Sequence, residues 1–283
     1  MKDLYTKTCF ECSALITRRY STSFSLGIFM LNKKVRDDVY AIYGFVRLAD
    51  EIVDTYLDKD PIGNLQKFRQ ETFCAIKNGI SFNPILHAFQ YTVNLFSIDH
   101  EYIEAFFYSM ELDLTDQQYD QILYEKYIYG SAEVVGLMCL KVFCQGNEFE
   151  FQSLVEPARK LGSAFQKVNF LRDIKSDLAD RKRIYFPDLD INNFSPEIKR
   201  KIENEIHIEF AAAQKGISQL PENSRKGVQL ALDYYKNLLR KISESPPEEL
   251  LENRIRISNL HKVRLFIANV VSPTYLKSQN TKV

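Results

Sequence analysis

A stripe of apolar residues recurs along one early segment of the chain. Its members are Val35, Val39, Ile42, Val46 and Val53. They follow one another at steps of four, three, four and seven residues, which return to one face of an α-helix. The pattern therefore predicts an amphipathic helix over residues 35–54 that packs this face against a core.

Helical periodicity continues through most of the chain, whereas strand signals are scarce. No alternating run of Val, Ile and Thr is closed by an Asn-Gly or Asp-Gly turn. Glycine and proline are few, 10 and 9 residues, which favours long helices. Ser195, Pro196 and Glu197 form a typical helix start, with a cap, a first-turn proline and a first-turn acid. The further predicted helices cover residues 64–78, 83–97, 99–111, 118–145, 150–180, 196–219, 223–243 and 248–270.

The organisation of the chain is simple. It contains no long linker, low-complexity tract or internal repeat of solenoid period. A length of 283 residues would allow two domains. We nevertheless predict one all-α domain over residues 1–283, with its helices packed around a common core.

Charge and cysteine content exclude several classes of protein. Lys+Arg and Asp+Glu are 37 each, and this balance argues against a protein that coats nucleic acid. Five cysteines without an apolar secretory segment before them indicate reduced thiols in a cytoplasmic chain. Cys9 and Cys12 form a CxxC pair, but no second Cys or His pair follows at zinc-ligand spacing. No run reaches the roughly 18 apolar residues of a membrane span, so we expect a soluble or peripheral protein.

Two segments each carry a pair of aspartates four residues apart. Asp50 and Asp54 form the first pair, and Asp173 and Asp177 form the second. Four helical steps of about 100° bring the members of each pair to one face. Like charges at this spacing destabilise a helix by about 0.2–0.5 kcal/mol. Two such pairs therefore need a reason to persist.

The neighbours of the two pairs suggest that reason. Tyr43 and Arg47 share the strip of the first pair, and Gln166 and Asn169 share that of the second. Both strips border apolar faces, where partly buried carboxylates are costly unless a cation compensates them. Hard oxygen ligands with incomplete protein coordination suit Mg²⁺. The alternative is that each pair is a solvated face, salt-bridged to nearby basic residues.

Four blocks of the sequence resemble the squalene and phytoene synthases, head-to-head prenyl transferases of the all-helical isoprenoid synthase fold. The blocks are residues 20–27, 40–54, 127–138 and 161–174. A single DxxxD motif is weak, but two of them with these flanks, this separation and this order are specific. The resemblance covers nearly the whole chain, and it implies the fold of that family.

The resemblance also implies a metal site. Two allylic prenyl diphosphates would enter one central cavity, where Mg²⁺, or Mn²⁺ in its place, would bridge the diphosphates to the protein. The metal would act as a Lewis acid on the leaving group. The implied ligands are Asp50, Asp54, Asn169, Asp173 and Asp177, and the four aspartates are also implied as catalytic residues.

Further residues are implied to bind the substrates. Arg47 and Arg172 would clamp phosphate oxygens, and Ser21 and Ser23 would donate hydrogen bonds to them. Gln166 is expected to bind substrate on the strip of the second pair. Tyr185 matches a flap tyrosine of the family. Residues 181–183 beside it either close over the phosphates or form a solvated basic turn.

A carbocation intermediate requires a dry pocket with electron-rich faces and no competing nucleophile. The aromatic candidates are Phe24, Tyr43, Tyr129 and Phe165. Plain core packing is the alternative for each of them. Tyr43 and Tyr129 also match family positions and are implied as catalytic residues.

The implied reaction joins two C20 geranylgeranyl diphosphates to phytoene, a step of carotenoid biosynthesis, through a cyclopropylcarbinyl diphosphate. The alternative is squalene or dehydrosqualene formation from two C15 farnesyl diphosphates, and squalene formation alone would need NADPH. Small side chains at Gly27 and Ile28, near Leu31, favour the longer substrate. A remote alternative is a relative without catalysis that acts as an assembly factor, which the intact aspartates argue against.

Apolar substrates and products suggest transient peripheral contact with a membrane. Residues 260–271 are either such a surface or, as we prefer, a last packing helix with an arginine that faces phosphate. The sequence carries no signal for the oligomeric state.

Overall fold

The structure is a computed structural model that describes residues 2–55, 59–115, 119–181, 183–187, 189 and 194–271. Within these ranges the chain forms thirteen α-helices and one π-helical turn, and no strand. The all-α class predicted from the sequence is therefore confirmed. The helices are α1 (Leu4–Tyr20), α2 (Thr22–Phe29), α3 (Lys33–Asp54), α4 (Pro61–Asn78), α5 (Pro84–Phe96), α6 (His100–Leu112), α7 (Gln121–Ile128), α8 (Val134–Cys144), α9 (Glu148–Arg181), α10 (Pro196–Gln219), α11 (Glu222–Glu244), α12 (Pro247–Glu252) and α13 (Asn259–Val271).

Side-chain caps and prolines mark several helix starts. The Ser195 hydroxyl accepts a hydrogen bond from the Ile198 N–H at the start of α10, and Pro196 follows in the first turn. Asp60 and Asn83 cap α4 and α5 in the same way, each followed by a proline. These caps satisfy backbone donors that the first turn leaves without partners. The local chemistry therefore fixes where these helices begin.

An aromatic cluster fixes the rotation of α3. The ring of Phe45 stacks on that of Phe89 from α5, with centroids 3.9 Å apart and planes at 5°. Phe68 from α4 lies 5.6 Å away, and Phe106 and Phe107 from α6 lie at 5.4 and 5.6 Å. Because Phe45 is fully buried among these rings, a different strip of α3 is left to face the functional cavity described below.

A π-helical turn, Tyr129–Glu133, interrupts the helix predicted over residues 118–145. Such a turn bonds each N–H five residues back and thereby inserts one extra residue; here the Val134 N–H donates to the Tyr129 carbonyl. Gly130 packs against the Ala105 carbonyl of α6, where a Cβ would clash. The inserted residue changes which side chains of α7 and α8 share a face.

The prediction of one continuous helix over residues 248–270 is wrong. The chain forms α12 and α13 there, separated by an irregular stretch at residues 253–258. Ile255 and Ile257 are buried, whereas Arg254 and Arg256 are exposed. This alternation has the two-residue period of an extended chain, which overrides the helical pattern around it.

Among the described residues, one helical stretch is long and apolar enough to cross a membrane, although the sequence contains no uninterrupted apolar run of that length. It is Gln121–Cys144, which comprises α7, the π-helical turn and α8 and has a mean hydropathy of 1.4. In the 18-residue window of this stretch to which that hydropathy applies, 67% is buried inside the fold. A core helix of a globular protein has the same property, so the stretch is weak evidence for a span.

We expect Phe45→Ala to lower the free energy of unfolding by about 3–5 kcal/mol, because it opens a cavity at the centre of the aromatic cluster. Phe82→Ala is the matched control, since that ring is 90% exposed. Its effect should stay within about 0.5 kcal/mol. Urea unfolding followed by circular dichroism measures both changes. If Phe45→Ala lowered the free energy of unfolding no more than Phe82→Ala does, the central role of Phe45 would be contradicted.

Candidate active site

A cavity of about 550 Å³ lies between α2, α3, α8, α9, α10 and α11. Ligand pockets typically measure roughly 300–1,000 Å³. All four aspartates of the predicted pairs line this cavity, together with Asn169. Pro157 and Asp177 of α9 both line it as well. At 1.5 Å per residue, the stretch of α9 between them is roughly 30 Å long, so the cavity is elongated.

The two ends of the cavity differ in polarity. Asp54 is the last residue of α3, and Asp177 lies in the last turns of α9, so the acidic pairs meet at one end. The residues that line the other end are Leu31, Leu140, Phe143, Leu154, Pro157, Ile217 and Leu220. A ligand that fits both ends has a charged head and a long apolar tail.

Arg47 neutralises the first acidic pair only in part. Its Nη1 atom lies 3.6 Å from Oδ2 of Asp50, whereas its Nη2 atom donates to Oε2 of Glu51 at 2.6 Å. The guanidinium lies 4.3 Å from the ring centre of Tyr20. Its Nε atom is buried and has no hydrogen-bond partner in the part of the chain that the structure describes. One donor of Arg47 therefore has no acceptor among the described residues.

Two arginines form ion pairs with Asp173, the first member of the second pair. Arg172 donates to both carboxylate oxygens of Asp173, from Nε at 2.9 Å and from Nη2 at 2.5 Å. Arg254 contributes a second ion pair, with Nε 2.7 Å from Oδ1 of the same carboxylate. Neither acidic motif points to Arg254, which lies far from both in the chain, in the irregular stretch after α12. Both arginines line the cavity, so cations surround this end.

The oxygen donors of the acidic end suit a hard divalent cation such as Mg²⁺. Four carboxylates and the Asn169 amide converge there from two helices. Among the described residues, no group of three or more Asp, Glu, His or Cys side chains is arranged to hold a metal by itself. A metal would need further ligands from water or from phosphate, which is how Mg²⁺ is commonly bound.

Four aromatic rings enclose the middle of the cavity. Phe24 lies 5.0 Å from Tyr43 and 6.3 Å from Phe165, and Phe165 stacks on Tyr235 at 3.9 Å. Tyr235 donates a hydrogen bond to Oδ1 of Asn169 at 3.1 Å, which links the rings to the acidic end. Burial raises the pKa of Tyr235 to about 12 and that of Tyr43 well above its ordinary value. Both are therefore neutral phenols at pH 7.

Tyr235 could not be found from the sequence, since it lies on α11 far from both acidic motifs and belongs to none of the blocks. Phe24, Tyr43 and Phe165 were named as aromatic candidates, and all three line the cavity. Their roles toward a ligand stay predictions.

The structure does not bring Tyr129 to the cavity, but it does bring Tyr127. The lining residues of this stretch are Tyr127, Ser131, Ala132, Val135, Gly136, Cys139, Leu140 and Phe143. Those from Tyr127 to Cys139 include a series at four-residue steps, and this spacing is a signal that could have identified Tyr127. Tyr129 lies off this strip, with its ring centre 5.3 Å from the guanidinium of Arg159.

Most other predicted binding residues reach the cavity. Ser21, Gln166 and Tyr185 line it, whereas Ser23 is not among the lining residues. The Ser21 hydroxyl also accepts a hydrogen bond from the Phe24 N–H at 3.2 Å. Ser21 therefore caps α2 and fixes the start of a helix that borders the cavity.

Gly27 borders the cavity, as expected from the sequence, and it also lies at a close helix contact. A Cβ at this position would lie 3.2 Å from the carbonyl oxygen of Gly227 on α11. The missing side chain therefore permits close approach of α2 and α11. The side chains that limit the cavity here are those of Ile28 and Leu31.

A buried carboxylate that the sequence did not single out is Asp113, directly after α6. Burial raises its pKa to about 6, although Arg183 and hydrogen bonds from Tyr127 and Tyr185 oppose the rise. Arg183 pairs with it at 3.0 Å, so this arginine is not part of a solvated turn. The predictions for Lys182 and for the Arg181 side chain lie outside the described residues.

Comparison with known proteins places this site in a family. Residues 17–261 match the family described as squalene/phytoene synthase. The chain belongs to this family. Every residue predicted for the site lies within the matched range.

Members of the family with similar sequences include plant and bacterial proteins. Phytoene synthase 1 of Zea mays, a chloroplastic protein, is 28% identical over 260 residues, which cover 83% of this chain and 62% of the maize protein. The chain spans about 60% of the length of the plant relatives that it matches first. The 4,4'-diapophytoene synthase of Staphylococcus haemolyticus is 25% identical over 273 residues, which cover 89% of this chain and 92% of that protein.

Solved structures of family members share the fold. A crystal structure of a dehydrosqualene synthase in complex with ligand matches with a TM-score of 0.82 at 23% identity, over 96% of this chain and 98% of that one. Squalene synthase HpnC from Alicyclobacillus acidocaldarius matches with a TM-score of 0.75 at 20% identity, over 87% of this chain and 98% of that one. The predicted isoprenoid synthase fold is therefore confirmed.

Proposed function

We propose that this protein condenses two geranylgeranyl diphosphates head to head, through a cyclopropylcarbinyl diphosphate, to phytoene. The observation that carries the proposal is the meeting of both acidic pairs at one end of a cavity whose other end is apolar. A prenyl diphosphate has the matching form, since it joins a highly charged head to a long apolar tail. The intact aspartates also argue against an inactive assembly factor.

The acidic end would bind the diphosphates together with a divalent metal. The proposed metal ligands are Asp50, Asp54, Asn169, Asp173 and Asp177. When bound, Mg²⁺ or Mn²⁺ would supply Lewis-acid chemistry toward the leaving group. Arg47 and Arg172 would donate hydrogen bonds to phosphate oxygens, and charge-assisted bonds of this kind are roughly twice as strong as neutral ones.

The aromatic middle of the cavity would stabilise the allylic cation that remains after diphosphate departs. Phe24, Phe165 and Tyr235 present ring faces there. A desolvated cation over such a face gains roughly 0.5–2 kcal/mol. Apolar walls exclude water, which would otherwise trap the cation. The double bond of the second substrate is then the available nucleophile.

A second candidate function is the condensation of two farnesyl diphosphates to dehydrosqualene or squalene. It is favoured by the 4,4'-diapophytoene synthase of Staphylococcus haemolyticus, with which this chain is 25% identical over 273 residues. The squalene branch would also use NADPH as a reductant. We favour phytoene because plant phytoene synthases have the higher identity to this chain.

With Mg²⁺ and geranylgeranyl diphosphate, the purified protein should release diphosphate and form a C40 product without NADPH. Mass analysis of the extracted hydrocarbon identifies the product, and a reaction with excess EDTA is the control. A C30 product from farnesyl diphosphate, with no C40 product, would replace phytoene synthesis by the second candidate. No diphosphate release from either substrate would reject the enzymatic function.

We propose further that α13, besides packing against the rest of the fold, contacts a membrane surface with its other side. Leu260, Val263 and Ile267 recur at helical steps and are 65%, 47% and 51% exposed. On another part of the helix, Phe266 packs against Phe29 of α2, with ring centres 6.1 Å apart. The helix thus packs with one side and leaves an apolar stripe uncovered, as interfacial helices do.

The exposed stripe of α13 leads to a binding prediction. Replacing Leu260 and Ile267 together by serine should weaken co-flotation with anionic lipid vesicles, because less apolar surface enters the bilayer. The exposed Leu15→Ser on α1 is a control that should leave flotation unchanged. Equal flotation of all three proteins, or none by the unaltered protein, would contradict membrane contact through α13.

A further inference from the structure

Asp113 is a buried carboxylate, 4% exposed, for which the proposed reaction has no role. Its Oδ1 atom accepts a hydrogen bond from Tyr185 Oη and pairs with Arg183 Nη1, both at 3.0 Å. Its Oδ2 atom accepts from Tyr127 Oη at 2.8 Å. Arg183 and Tyr185 belong to residues 183–187, which we term the return segment. Because protein donors occupy both oxygens, Asp113 supports these partners rather than a ligand in the cavity.

The return segment runs back along the end of α9. The Arg183 N–H donates to the Asp177 carbonyl at 2.9 Å. The ring of Tyr185 stacks on Phe170 of α9, with centroids 4.3 Å apart and planes at 10°. Phe186 is also buried against Phe170. The segment therefore lies beside the second acidic pair.

The ion pair between Arg183 and Asp113 fixes the position of the return segment. A buried carboxylate is costly unless a cation pairs with it. Within the described ranges, Arg183 is the cation that forms a salt bridge with Asp113. Tyr185, Asp54 and Asp177 line the same cavity as Asp113. Asp113 thus ties the end of α6 to a segment that borders the acidic end.

We propose that Asp113 is a positioning residue that, through Arg183 and Tyr185, holds the return segment across the acidic end of the cavity. There the segment shields the bound diphosphate heads from water. Asp113 then acts on the reaction without touching a substrate. This inference rests on the proposed function, and its test includes a measurement that needs no turnover.

The absence of tryptophan from the sequence offers a reporter for the return segment. Phe186→Trp introduces a single tryptophan, which can be excited separately from the tyrosines, at a site that is 7% exposed. In this background, Asp113→Asn should shift the tryptophan emission to longer wavelength and expose the tryptophan to acrylamide quenching. The reason is that a neutral amide cannot form an ion pair with Arg183. Asp38→Asn is the matched control and should cause neither change. Asp38 is also buried, at 3% exposed, and it does not line the cavity. Its Oδ1 atom accepts a hydrogen bond from the Thr92 hydroxyl.

Kinetics provide the second readout. In the chain that keeps Phe186, Asp113→Asn should raise KM for the prenyl diphosphate and lower kcat/KM by roughly 10²-fold, the cost of a misplaced active-site group. Asp38→Asn should leave both constants unchanged. Arg183→Gln should cause the same loss as Asp113→Asn, and the double variant should fall no further, because both changes break one contact. If Asp113→Asn fails to fold, Arg183→Gln tests the same contact.

Several outcomes would overturn the inference. Lost activity with an unshifted tryptophan in Asp113→Asn would show that the carboxylate acts on the reactants directly. Additive losses in the double variant would show that Asp113 and Arg183 act separately. If the unaltered protein converts no prenyl diphosphate, the proposed function fails, and the fluorescence comparison alone decides whether Asp113 holds the return segment.

Discussion

Repulsion among four carboxylates is the constraint on which the site depends. Asp50 and Asp54 on α3 face the same cavity as Asp173 and Asp177 on α9. Partly dehydrated like charges cost folding free energy unless nearby cations offset them. Arginines from α3, α9 and the stretch at residues 253–258 supply part of that compensation. In the proposed function, a divalent metal and diphosphate would add to this compensation, so the carboxylates would also bind the substrate head.

Helix periodicity was sufficient to predict how α3 and α9 present these charges. The apolar stripe of α3 predicted which face is buried, and Val35, Val39, Ile42 and Val53 are fully or almost fully buried. Four-residue spacing then places each aspartate pair on one strip. The caps and prolines at helix starts are local signals as well, because a cap depends on residues within one turn.

Tertiary contacts decided what the sequence could not predict. The π-helical turn Tyr129–Glu133, where Gly130 packs closely on α6, is one such feature. Tyr235 and Asp113 come from parts of the chain far from the acidic motifs, so no local pattern signals them. Helical periodicity predicts a helix over residues 253–258, whereas the structure has an irregular stretch there whose Arg254 pairs with Asp173. The alternation around Ile255 could have indicated an extended chain.

The central claim is that both acidic pairs form one site for a divalent metal and diphosphate, and calorimetric titration with inorganic diphosphate tests it most directly. We expect binding that requires Mg²⁺ and weakens by about tenfold or more in either Asp50→Asn or Asp173→Asn, which corresponds to about 1.4 kcal/mol. Asp37→Asn, an exposed carboxylate on the same helix as Asp50, should bind like the unaltered protein. Equal affinity with and without Mg²⁺, or a loss in only one of the two variants, would contradict the account.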